Sequence, residues 1–131
     1  MESTPAEQPL ELVLTTEASR ERAEALAAFL IEQRLVACAS LGEVRSLYRW
    51  EGALERSDEV QLLLKTTPDR LQELERAVRD RHSYAVPQWI HWRASAVGSY
   101  GHWCAAEVSP LSPDAGASDP AARPGDGDPA G

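Results

Sequence analysis

At 131 residues and 14.3 kDa the chain is the size of one domain and long enough to bury a core without disulfides or structural metals. A formal charge of −8 and a pI near 4.8 argue against nucleic acid, which recruits proteins through basic patches that displace counterions, and favour cations or neutral partners. Two widely spaced cysteines, Cys38 and Cys104, do not make the framework of a small secreted module; with no basic leader and no bilayer-length apolar run, reduced thiols, a cytoplasmic address and no membrane partner are expected.

Residues 1–8 are acidic and polar and are expected to be flexible. Leu10, Leu12 and Leu14 then alternate with Glu11, Val13 and Thr15, the two-residue period of a strand. Ser19 is placed to cap a helix in which Ala23, Leu26, Ala27, Leu30 and Ile31 form the apolar stripe and Arg20, Glu24 and Glu32 the wet face. The apolar run Leu35–Leu41 opens a long extended stretch through Val44, Leu47, Tyr48 and Trp50, with a bend expected at Gly42. Glu51-Gly52 reads as a hairpin turn, with Glu59–Thr66 as the return strand; its Leu62-Leu63-Leu64 run suggests burial on both faces.

Thr67-Pro68 predicts a second helix start, a hydroxyl cap followed by a proline whose missing N–H is not needed at the first helical position. Leu71, Leu74 and Val78 make its inner stripe, and the cationic stretch from Arg79 to His82 suits the C-terminal end of its dipole. Pro87 introduces a last strand, Trp89–Trp92, and residues 99–106 predict a short closing helix. From Ser109 onward Pro, Gly, Ala, Ser and Asp dominate, and four Asp against one Arg give that segment −3 of the −8 total. It has too little apolar surface to offset its ordering entropy, so 109–131 is expected to be a disordered tail and 9–108 the folded domain. The order strand, helix, strand, strand, helix, strand predicts an α+β fold of the split βαβ, ferredoxin-like kind, with a long β-hairpin.

Catalytic constellations are missing from the sequence. It has no P-loop, no G-x-G-x-x-G fingerprint and no H-E-x-x-H; Gly98-Ser-Tyr-Gly101 lacks the spacing of a nucleophile elbow. Thr15-Thr16-Glu17 stands where a metallochaperone of this fold would carry C-x-x-C. No enzyme activity, no organic cofactor and no catalytic residue are expected. Borderline or soft metal ligands are Cys38, His82, His91, His102 and Cys104, of which His82, at a helix end before a loop, is the best placed to reach solvent or a neighbouring subunit. Four tryptophans are many for so small a core, and the surplus suggests an interface.

The collinear stretches Ala37-Cys38, Ser46-Leu-Tyr48-Arg-Trp50-Glu51-Gly52, Glu59–Thr66, His82-Ser-Tyr84-Ala-Val86-Pro87 and Tyr100-Gly-His-Trp103 resemble the CutA divalent-cation tolerance family over about residues 10–105. The resemblance implies a homotrimer whose hairpin strands pair between subunits, with Ser46, Tyr48, Trp50, Glu51 and Gly52 at the trimer contact. It also implies a weakly bound divalent cation such as copper or zinc, with His82 and Cys38 at metal-contact positions. Thr15 stands where some members have a second metal-binding cysteine, Arg81 where some have a histidine, and Gln88 replaces a usual Glu. An alternative reading is a trimeric regulator similar to the PII proteins, with Arg45, Arg49 and Arg93 holding a small anionic ligand or nucleotide in an intersubunit cleft.

Overall fold

The computed structural model describes residues 6–110. The chain runs β1 (Gln8–Glu17), α1 (Arg20–Glu32), β2 (Cys38–Trp50), β3 (Ala53–Thr66), a single 3-10 turn (Pro68–Arg70), α2 (Leu71–Arg81), β4 (Ile90–Ala96) and α3 (Gly98–Val108). The four strands form one antiparallel sheet in the order β2-β3-β1-β4, the ferredoxin-like arrangement, with β2 and β4 at its edges. Most of the segments expected to be loose, 1–8 and 109–131, lie outside the described residues; Gln8 already pairs with Ala96.

Because side chains alternate across a strand, the register divides β1 into two rows. Helices α1 and α2 cover the row of Val13 and Thr15, where Val13, Leu62 and Leu64 meet Leu26, Leu30, Leu74 and Val78 in the main core. The row of Leu10, Leu12 and Leu14 lies on the other face. There α3 covers one end, packing Cys104 and Val108 on Leu10, Ala37 and Ala96. Leu62 and Leu64 are fully buried and Leu63, on the second face, only half so.

Local chemistry sets the element ends. The Ser19 hydroxyl accepts the Arg22 N–H at 3.2 Å, the cap expected from sequence. Thr67 behaves differently: its hydroxyl bonds Asp69 at 2.6 Å, and the first turn after Pro68 is 3-10 before α2 begins at Leu71. Ile31, expected in the apolar stripe, is exposed, since the stripe of α1 ends with Leu30. Gly42 lies within an unbroken ladder opposite Gln61, so β2 is one strand from Cys38 to Trp50. β3 begins six residues earlier than the Leu-rich run suggested, because its outer half packs on no core among the described residues and carries no apolar signature.

Candidate functional site

The hairpin of β2 and β3 closes through Glu51 and Gly52, both with positive φ (51° and 82°), the backbone that matches the twist of a two-residue hairpin turn. Cross-strand pairing sorts its two faces. One carries Val44 and Glu59, Ser46 and Ser57, Tyr48 and Glu55, Trp50 and Ala53; the other carries Arg45 and Asp58, Leu47 and Arg56, Arg49 and Leu54. The three arginines of the hairpin therefore share one face, and Tyr48, Trp50, Glu55 and Glu59 share the opposite one.

Between this acidic, aromatic face and residues 83–88 lies a cleft of about 900 Å³, walled by Ser46, Tyr48, Trp50, Glu59, Tyr84 and Val86 among others. Trp50 is 52% exposed and Val86 70%. Beside the cleft, at the end of β1, lies a buried polar network. Glu17 accepts the N–H groups of Ala18 at 2.9 Å and Ser83 at 3.1 Å. Burial pushes its carboxyl up, but bonds from Ser83 and Ala18 and the nearby His82 outweigh this and hold it below the ordinary 4.5. Tyr84 donates its hydroxyl to Glu59 at 2.9 Å, and burial together with that carboxylate pushes the phenol up to about 12.

His82 takes part in the same network. Its side chain is fully buried; Nε2–H donates to the Thr16 carbonyl, and Nδ1 accepts the Tyr84 N–H at 3.0 Å. The ring thus latches the 82–84 segment onto β1 and does not face solvent. Thr15, where the resemblance puts a second ligand, does lie beside it, Oγ1 at 3.4 Å from Nε2, but a hydroxyl is a poor donor for a soft cation. Arg81 points elsewhere, its guanidinium 3.5 Å over the Phe29 ring. Gln88 lines the cleft, and its buried Oε1 has no partner among the described residues.

Cys38 lies apart from His82. It pairs across β2 and β3 with Lys65, level with Leu12, and so is offset from Thr16 by four residues along the sheet, about 13 Å. Its thiol is 4.0 Å from Lys65 Nζ, which also lies over the Tyr100 ring at 5.8 Å. Cys104, on the inner side of α3, is buried, which pushes its thiol up. The structure therefore does not bring His82 and Cys38 to one point within a subunit, and no group of three or more His, Cys, Asp or Glu suited to a metal ion occurs among the described residues.

Arg45, Arg49 and Arg93 do not converge within one chain. The first two stand on the hairpin face away from the cleft, and Arg93, on β4, is ion-paired to the buried Glu11, which also accepts from His91 Nδ1 at 2.9 Å. Sequence reasoning missed Glu17, Glu59 and the Lys65–Tyr100 contact. A carboxylate at the end of an apolar strand, as at Glu17, was the available signal.

A family profile described as CutA1 divalent ion tolerance protein matches residues 11–107. The divalent-cation tolerance protein CutA of Pyrococcus horikoshii is 42% identical over 79 residues, 60% of this chain and 78% of that protein. The structure of CutA from Synechococcus elongatus superposes with a TM-score of 0.77 at 32% identity, covering 82% of this chain and 96% of that one. A protein of Archaeoglobus fulgidus described as periplasmic divalent cation tolerance protein CutA gives 0.74 at 27% identity, over 76% and 99% of the two chains. Among the described residues no helix is long and apolar enough to cross a membrane. With the profile spanning residues 11–107 and the Synechococcus elongatus structure superposing over 82% of the chain, the chain belongs to the CutA1 divalent ion tolerance family.

Proposed function

We propose that the chain works as a cytoplasmic homotrimer that binds divalent cations of the copper and zinc class weakly and contributes to cation tolerance by binding, without turnover. The observation that carries the assembly is the apolar surface left uncovered on one subunit: Ile90 and Trp92 on the sheet face opposite α1 and α2, and Tyr48, Trp50 and Leu54 on the hairpin, are all exposed. Strand edges β2 and β4 also lack partners among the described residues. Head-to-tail pairing of one copy's β2 with the next copy's β4 covers both edges and closes a ring, with Ser46, Tyr48, Trp50, Glu51 and Gly52 at the contact.

The cation is cargo and not a resident cofactor. His82 offers a nitrogen only by giving up its bond to Thr16 or Tyr84, and Cys38 offers one half-buried thiol beside an ammonium. Single donors at separate places make weak, labile binding, far from the four-ligand site of structural zinc. No organic cofactor, nucleic acid or membrane enters this reading. Titration calorimetry with copper(II) and zinc tests it: measurable heat, reduced in His82→Ala or Cys38→Ser, is expected, whereas no heat, or unchanged heat in both variants, removes the metal part. Solution mass tests the trimer separately.

A further inference from the structure

We infer that the groove between α1 and α2 seats residues 111–119 of the same chain. The groove, about 520 Å³, is lined by Phe29, Gln33 and Leu35 from the end of α1 and by Arg76, Ala77 and Arg81 from α2. It belongs to the helical layer, away from the hairpin, the second sheet face and the two strand edges used in the assembly proposed above. Where the described chain ends decides the occupant. Arg34 donates from Nε to the Ser109 carbonyl and from Nη2 to the Ala106 carbonyl, both at 2.7 Å, and so ties the end of α3 to the end of α1. Arg34 is itself anchored, its own carbonyl accepting two bonds from Arg70 at 3.3 Å, and the residues on either side of it, Gln33 and Leu35, are groove residues. The chain beyond Pro110 therefore sets out about one arginine side chain's length from the groove.

Charge and apolar surface match between groove and segment. Arg76 and Arg81 are exposed and have no ion-pair partner among the described residues; Arg81 lies 3.5 Å over the Phe29 ring, which steadies its guanidinium and leaves N–H groups for a carboxylate. Of the two carboxylates that line the groove, Glu73 is held by Arg70 at 2.9 Å, so Asp80 alone opposes the two arginines. Residues 111–131 carry four Asp against one Arg, and Leu111 is their one large apolar side chain. Four extended residues carry the chain from Pro110 to Asp114, at most about 14 Å. The groove wall from Glu73 to Arg81 is about 12 Å long at the helical rise. Leu111 thus falls beside Leu35 and Ala77, and Asp114 within reach of Arg76 and Arg81. Each such pair is weak at a surface, but the tether keeps the segment at an effective concentration on the order of millimolar, so weak contacts suffice.

The test is methyl NMR on the full chain labelled at Leu and Ala, with the Leu111 signal assigned by its loss in Leu111→Ser. Nuclear Overhauser contacts from the Leu111 methyls to Leu35 or Ala77 are expected. They should lose most of their intensity when Arg76→Glu and Arg81→Glu are combined, and should weaken in Asp114→Asn and in molar salt. A sample mixed from differently labelled copies separates a chain's own segment from that of a neighbour: contacts within one copy are expected. Absence of any contact from Leu111 to the groove, contacts found only between copies, or full intensity in the charge-reversed variant overturns the inference. Both arginines are exposed, so their replacement should leave the fold intact, and the contact sought in the unaltered chain decides the matter whether or not a variant folds.

Discussion

The two faces of the sheet are built to different standards. Against α1 and α2, Val13, Leu62 and Leu64 lose all contact with water. On the other face α3 shelters only the end around Leu10 and Ala96, while Leu12, Leu14 and Leu63 are half-buried and Ile90 and Trp92 are 48% and 42% exposed. One face is finished within the chain; the other is apolar enough to be a core and has no second layer among the described residues. A two-layer fold with an uncovered apolar face is what a subunit looks like when its remaining layer comes from another copy.

Substitutions on the two faces should separate these roles. The largest effect is expected from Leu64→Ala, which opens a cavity in the finished core and should cost about 3 kcal/mol in denaturant unfolding. Next is Gly101→Ala. A β-carbon there would stand 2.6 Å from Gln8 Cβ, so α3 must shift off β1, lowering stability by about 2 kcal/mol and uncovering the sheltered end of the second face.

Glu17→Gln keeps one acceptor oxygen but sets an NH2 donor against the N–H of Ala18 or Ser83, and should cost about 1–3 kcal/mol. The same group gives a pH signature. Burial pushes Glu11 up as well, but Arg93 and His91 outweigh it, so both carboxyls sit below 4.5 when folded. Their stabilisation is therefore full above 4.5 and is lost as pH falls through the lower folded-state values. Unfolding midpoints measured stepwise from pH 7 downward should drop in that window, less steeply in Glu17→Gln. The smallest effect, about 1 kcal/mol, is expected from Gly52→Ala, whose φ of 82° strains any side chain at the hairpin tip, far from the finished core.

The fold was legible because the apolar periods of β1, α1 and α2 and the Glu51-Gly52 turn are local signals, each strong enough alone. The outer half of β3 was not: Leu54, Arg56 and Asp58 carry no apolar alternation, because their pairing with Arg49, Leu47 and Arg45 covers no core within the subunit. The site was legible only as residue types. Sequence placed His82 at a helix end facing outward, and the structure turns it inward, since the carbonyl of Thr16 and the N–H of Tyr84 are partners 66 and two residues away. Arg45 and Arg49, read as anion ligands of a cleft between copies, stand on the hairpin face away from the cleft of the single chain, a placement that only the register reveals. Long-range pairing decides such matters, and spacing along the chain does not carry it.

The contrast between the faces reduces to one measurement, the solution mass of the unaltered chain beside that of Trp92→Ser by light scattering at micromolar concentration. A subunit of 14.3 kDa whose uncovered face is an interface should elute at about three times that mass, and the variant should shift toward the single chain. An unaltered chain that runs as a stable monomer would contradict the account at its centre.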